Sequence, residues 1–450
     1  MITLEFVLFV NCPVARAQKK LAPLPIKEAF KTLNLPMFIP IDLSPDGKLV
    51  AYTLQDISRK DETANSGSPS NDLTRTGVPR RALYCDVWIT DVATGVAKNL
   101  TEGKGTSWGP VWSPDGRLLA FYSDRNGVQS LWVWERASGT LRKISDAIVR
   151  VRTEVSIARW TPDSKKLVIN ILPEDMTLAD VASFIKRPAP ESDAPNEFVK
   201  EPGSTVMLYT ARGANSKLEQ EHERVRQNRN HPALVTDLAL VDLITNETKR
   251  LARRIITDNW WLSPDGQNLA VLVSKGRQSQ QTLQALWDLT VISLVDGRSK
   301  TLVSDFGSDT LIPISWSPNG KQLAYMTAGP NVRNDCWVVP ASGGEPRNIT
   351  PGEHPRFDGT FLYCGPLWDA AGNYLYLLSK SSVWRVTGAK DEAAEIATIP
   401  KRSLREIVSP DGRTIWSLNG KENFFQQYQL RTRVTLRSSA ISMELLSRQP

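Results

Sequence analysis

Gly105-Thr106-Ser107-Trp108-Gly109 has the G-x-S-x-G spacing of a serine nucleophile elbow. The chemistry of that motif needs a strand before the serine and a helix after it, so that the hydroxyl stands exposed on a sharp turn. Here Pro110-Val111-Trp112-Ser113-Pro114-Asp115-Gly116 follows, a strand entering a tight turn. Ser107 is therefore predicted to link two structural units and not to attack a carbonyl. A nucleophile of this type also needs an oriented histidine. The chain has only 3, His222, His231 and His354, none within a motif. His222-Glu223-Arg224-Val225-Arg226 begins like the zinc-peptidase H-E-x-x-H but places Arg226 where the second ligand must stand. Glycine-rich phosphate loops and calcium loops are not found, and the recurrent Asp-Gly pairs supply one carboxylate per turn, too few for calcium. The sequence thus predicts no catalytic, cofactor-binding or metal-binding residue.

The chain is dominated by a repeat. LSPDGKLVAY (43–52) returns as WSPDGRLLAF (112–121), WTPDSKKLVI (160–169), LSPDGQNLAV (262–271), WSPNGKQLAY (316–325), WDAAGNYLYL (368–377) and VSPDGRTIWS (408–417). Each copy reads strand, turn, strand: Pro presets φ, Asp bonds to nearby backbone, Gly ends the turn, and an apolar strand follows. An aromatic stands at or just before the turn, as Trp112, Trp160, Trp261, Trp316 and Trp368. A second phrase follows most copies, for example DVWITDVATGVAKNLT (86–101) and DCWVVPASGGEPRNIT (335–350), and reads as a second hairpin. Two hairpins per period make a four-stranded antiparallel sheet, and a period of about 40–55 residues suits a propeller blade. The predicted fold is all-β, a propeller of about seven blades. After Leu430 the tail RTRVTLRSSAISMELLSRQP loses the pattern, so the last blade is expected to be incomplete.

The propeller is predicted over 39–430. Residues 18–38 are predicted to form a linker and a short helix, and 431–450 an aberrant tail. Two insertions interrupt the repeats. Residues 56–79, rich in Ser, Asn, Thr and Gly, read as a mobile loop. Residues 173–232 are predicted to hold a helix at Leu178–Ile185, a Pro-rich segment, a strand at Thr205–Arg212 and a charged helix at Lys217–Arg229. Long insertions of this kind gather on one face of a propeller.

Composition adds limits. The net charge is +7, but the basic clusters (Lys249–Arg254, Arg224–Arg229, Lys401–Arg405, Arg431–Arg437) do not interleave with aromatics, so no nucleic-acid groove is expected. The 14 tryptophans fall mostly at blade positions and read as packing between sheets. Leu4–Val10 followed by Ala15-Arg16-Ala17 resembles a secretory signal over 1–17 without its basic start; a buried N-terminal strand is the alternative. The apolar run is too short to span a bilayer. Of the 4 cysteines, Cys12 would leave with the signal; Cys85, Cys336 and Cys364 are expected to be free thiols, with a Cys336–Cys364 bridge as the alternative.

The repeated W-S-P-D-G-[KR]-x-L-A-[FY] phrase resembles TolB-like, WD-type propellers. Three features bring it closer to the N-terminal propeller of the prolyl oligopeptidase family, which includes acylaminoacyl peptidases and dipeptidyl peptidase IV relatives. Ile26–Tyr52 looks like that family's entry into its first blade. The blades are uneven and carry insertions. VSPDGRTIWSLNGKENFFQQYQL (408–430) looks like a late blade. The resemblance covers about 26–430. In the family the propeller caps a catalytic α/β-hydrolase domain and restricts entry to short peptides. The resemblance thus implies a non-catalytic, substrate-gating or peptide-binding scaffold of a serine peptidase, in a chain that stops before its hydrolase domain. No position here matches the family's catalytic residues, and Glu219, Glu221 and Glu223 do not match its amino-terminus-binding Glu pair. The second reading is a stand-alone periplasmic propeller that binds an envelope protein. Either reading implies an extracytoplasmic location.

Overall fold

The structure is a computed structural model. It describes residues 33–442 except for 60–73, 186–233, 278–284, 309–313, 328–334, 352–365, 399–404, 409–413, 430–437 and a few stretches of one to four residues. Among the described residues the strands form seven antiparallel sheets that follow one another along the chain: Leu33–Asn99, Ser107–Lys143, Arg159–Ile255, Trp260–Ser308, Ser315–Asn348, Leu367–Thr398 and Arg405–Ser442. The fold is a β-propeller. Every sheet is built from consecutive strands, so none is shared between the first and seventh sheets. The first sheet carries a fifth strand, Leu33–Asn34, which pairs with the far end of Leu49–Asp56. The chain is extended at these two residues, inside the segment predicted as linker and helix; the rest of the predicted helix lies outside the described residues.

Alternation with period two explains the apolar runs after each turn. In the strand Lys166–Ile171 of the third sheet, Leu167, Ile169 and Ile171 pack with Tyr122, Leu131 and Val133 of the second sheet. Val168, on the other face, packs with Leu269 and Val271 of the fourth. Both faces of a middle strand are buried, so its sequence reads as a continuous apolar stretch.

The turns of the first five copies close by the same local bonds. In the second sheet Ser113 Oγ donates to Asp115 Oδ1 at 2.7 Å and accepts Leu118 N–H at 3.0 Å, while Asp115 Oδ1 accepts Arg117 N–H at 3.0 Å. Where the sixth sheet replaces Ser by Asp369, its carboxylate accepts Asn373 N–H and Tyr374 N–H directly, at 2.6 and 2.8 Å. This is why the turn survives loss of the phrase. Successive turns also touch: Pro45 lies against Gly116, Pro162 against Gly266, Pro318 against Gly372. In the third sheet Ser164 replaces the glycine, and its hydroxyl accepts Asp115 N–H of the preceding turn at 3.1 Å.

The seventh sheet corrects the expectation of a missing fourth strand. Ser438–Ser442 pairs with Phe424–Gln429 in a five-residue antiparallel register, Phe424 opposite Ser442 and Tyr428 opposite Ser438. An outermost strand pairs on one edge only and needs no apolar alternation. Those of other sheets are as polar, Ala97–Asn99 and Arg347–Asn348 among them.

The insertions leave from the end of the sheets opposite the S-P-D-G turns. The end of the first is not a loose loop: Val78 is fully buried, Thr76 O accepts Gln129 N–H at 2.9 Å, and Thr76 Oγ1 donates to Asp124 at 2.7 Å, tying it to the second sheet. The second insertion begins with the predicted helix α1, Leu178–Ile185, capped by Thr177 and Asp180. Salt bridges of Arg250 and Arg253 to Glu174, and of Arg254 to Asp175, fix its approach. The predicted strand at 205–212 and helix at 217–229 lie outside the described residues. No helix among the described residues is long and apolar enough to cross a membrane.

Candidate functional site in the propeller centre

Ser107 opens the innermost strand of the second sheet, Ser107–Trp112. It is fully buried, and its hydroxyl donates to Ser123 Oγ at 2.8 Å. Strand follows it, as the sequence requires. The two glycines of the motif have structural causes. A Cβ on Gly105 would stand 2.6 Å from Asp124 Oδ1, and Gly109, with φ of 69°, sits in the bulge where the strand passes Ile157. The three histidines lie outside the described residues.

The innermost strands each pair on one edge and turn the other toward the propeller axis. Tryptophans from the next sheet satisfy carbonyls on them. Trp160 Nε1 donates to Val111 O at 3.0 Å, Trp316 Nε1 to Trp261 O at 2.9 Å and Trp368 Nε1 to Ser315 O at 3.3 Å. At these three turns the aromatic is thus an inter-sheet hydrogen-bond donor as well as packing.

The series breaks between the first two sheets. The Trp112 indole N–H is buried without a partner, and Trp112 offers its backbone N–H to Asp42 Oδ2 at 2.6 Å. Asp42 belongs to the innermost strand of the first sheet, Asp42–Leu43. It lines a cavity of about 250 Å³ with Ile41, Val111, Trp112, Ala158 and Arg159, so the cavity is walled by the innermost strands of three successive sheets. Burial raises the Asp42 pKa to about 6, against the lowering effects of the Trp112 N–H, the Arg159 charge and the Leu43 N–H. Among the described residues Asp42 makes no ion pair. Arg159 acts on it through space from the wall of the same cavity.

Sequence reasoning assigned no site residue; the cavity lining adds Asp42 and Arg159 as candidates. A signal did exist. Two residues before the Ser (or Thr or Asp) that opens each turn, the described copies read Asp42, Val111, Arg159, Trp261, Ser315 and Leu367. Two opposite charges at a repeat position otherwise apolar or neutral mark the place where structure alone does not choose the residue. Among the described residues no cluster of three metal-ligating side chains occurs.

With this geometry the chain compares with known proteins as follows. No family model matches it. It is 29% identical over 129 residues, 28% of this chain, to the uncharacterized peptidase YuxL of Bacillus subtilis. It is 36% identical over 62 residues, 14% of this chain, to the uncharacterized protein Atu1656 of Agrobacterium fabrum. The matches span 16% and 21% of those relatives' lengths. Among solved structures, one from a study of two prolyl endopeptidases superposes with a TM-score of 0.50 at 14% identity, covering 93% of this chain and 53% of that one. The likeness is to the β-propeller fold. At this identity it concerns the fold, and the expected propeller resemblance stands on it together with the peptidase relative.

Proposed function

We propose that this chain is a peptide-binding, substrate-gating propeller of the prolyl-oligopeptidase type, and that its own residues do not hydrolyse the peptide. The observation that carries the reading is the cavity between the first three sheets, which Asp42 and Arg159 both line. A propeller built only as a scaffold has no need of a carboxylate in a cavity where burial disfavours its charged form. The peptidase relative supports the peptide as the ligand class. Buried Ser107, held by Ser123, supports the non-catalytic part. The Leu4–Val10 run and Ala15-Arg16-Ala17 support an extracytoplasmic location, which fractionation of the producing cell tests.

The main test is calorimetric titration of the purified chain with short peptides, run beside a chromogenic peptidyl-anilide assay. Saturable binding without release of the chromophore is expected. Turnover that Ser107→Ala abolishes overturns the non-catalytic reading. Absence of peptide binding, with recovery of one envelope protein from cell extract, favours the stand-alone TolB-like module instead.

A further inference from the structure

We propose that helix α1 is a strap over the second sheet, latched shut by ion pairs at its root and poised to open because closure buries an amide that has no partner. The inference stands apart from the peptide-binding reading above and concerns a moving part of the face from which the insertions leave.

Helix α1 leaves the third sheet and reaches the other two. Leu178 and Val181 share one helical face and turn inward: Val181 is buried and Leu178 half-buried, while Ala179 and Asp180 are exposed. Leu178 lies against Gly77 of the first insertion, where a Cβ would stand 3.2 Å from Leu178 Cδ2 and 3.9 Å from Gln129 Cβ. One contact point thus joins parts of three successive sheets. Gly77 comes from the first, Gln129 from the entry to the strand Ser130–Glu135 of the second, and Leu178 from the third.

Gln129 works against closure. It is fully buried, and its backbone is fully used: its N–H donates to Thr76 O and its carbonyl accepts Val149 N–H, both at 2.9 Å. Its side-chain amide has no partner among the described residues, at either Oε1 or Nε2. Burying a donor and an acceptor unpaired is unfavourable, and both regain bonds to water when the strap lifts. Helix α1 is also only 8 residues long, too short to hold by itself. The force that shuts it sits at its root. Glu174 pairs with Arg250 at 3.1 Å and with Arg253 at 2.8 Å, and Asp175 pairs with Arg254 at 2.8 Å. Both carboxylates are exposed, so salt screens these pairs. Ionic strength therefore sets how often the strap lifts from Gln129.

The test is amide hydrogen exchange of the full chain at pH 7.5, read by mass spectrometry, with residues 174–185 followed against the strand Lys166–Ile171 as reference. In the wild-type protein, exchange across α1 is expected to quicken about two- to fivefold between 50 mM and 1 M NaCl while the reference strand does not change, the scale of one or two screened surface pairs. Glu174→Gln is expected to give the faster exchange already at 50 mM and to lose most of the salt response. Gln129→Met keeps an unbranched side chain of similar length and removes the unpaired amide. It is expected to slow exchange across α1 about five- to a hundredfold, the cost of an unsatisfied buried group read as an opening equilibrium. Slowing is a readout that a merely damaged fold does not give. Exchange across α1 that is unchanged or faster in folded Gln129→Met overturns the poised strap. So does wild-type α1 that exchanges only together with the reference strand. If Gln129→Met does not fold, the wild-type salt series decides, and an α1 indifferent to salt overturns the latch.

Discussion

Trp316 Nε1 donates to the carbonyl of Trp261 across the boundary between the fourth and fifth sheets, at 2.9 Å. Trp112, at the matching place in the second sheet, has a buried indole N–H with no partner among the described residues. The pair separates the two roles of the recurrent tryptophan, apolar packing and capping of an inner-strand carbonyl.

Trp316→Phe and Trp112→Phe remove similar area, but only the first strands an acceptor. An unsatisfied buried group costs about 1–3 kcal/mol. In urea unfolding, Trp316→Phe is expected to lose at least about 1 kcal/mol more than Trp112→Phe. Equal losses would mean that the indole bond contributes nothing beyond packing.

The stacked turns give a second contrast. A Cβ at Gly266, where φ is 69°, would stand 2.4 Å from Pro162 Cδ, whereas Gly139, with φ of 70°, has open space. Gly139→Ala should cost about 1–2 kcal/mol, the strain of a left-handed alanine. Gly266→Ala should cost a further 1–3 kcal/mol or so by overpacking the neighbouring turn. Denaturant midpoints of the two variants check this; matching values would show that the turns do not bear on each other.

Those turns were also what the sequence made legible. Ser, Pro, Asp and Gly act within six residues, so each copy announces its own conformation, and seven copies announced seven sheets. The fourth strand of the last sheet, Ser438–Ser442, was not legible because an edge strand is specified by its partner's free backbone and not by its own side chains. Asp42 and Arg159 were not legible as a site because they are separated by 116 intervening residues and meet only when three sheets pack side by side. Conversely, Gly105–Gly109 looked catalytic in isolation, and its context, a strand after the serine, already decided against it.

The two described cysteines give a chemical readout of global unfolding. Cys85 and Cys336 are fully buried at the start of equivalent strands in the first and fifth sheets. Burial pushes both thiols well above their ordinary pKa, with Asp86 and Asp335 adding to the effect. Since the thiolate is the reactive species, both should resist iodoacetamide at pH 8 in native protein. Peptide mapping by mass spectrometry should find them labelled together, at the urea midpoint. Labelling of either one in native buffer would show that its sheet opens locally.

Asp42 links stability to the site. Its folded pKa, about 6, lies above the ordinary 3.8, so the folded state binds this proton more tightly than the unfolded state does. Protonation therefore favours folding. The contribution is most favourable below pH 3.8, declines between 3.8 and 6, and remains a constant penalty above 6. The full gap corresponds to at most about 3 kcal/mol, and partial access to solvent reduces it to roughly 1–2 kcal/mol. Asp42→Asn keeps an oxygen for the Trp112 N–H and removes the charge. It is expected to unfold at a higher temperature than wild type at pH 7.5, with the advantage gone by pH 4. Thermal melts at the two pH values decide the matter. A variant less stable at pH 7.5 would mean that the carboxylate is held for the architecture. A more stable one means that the fold bears a cost for the charged carboxylate at this position.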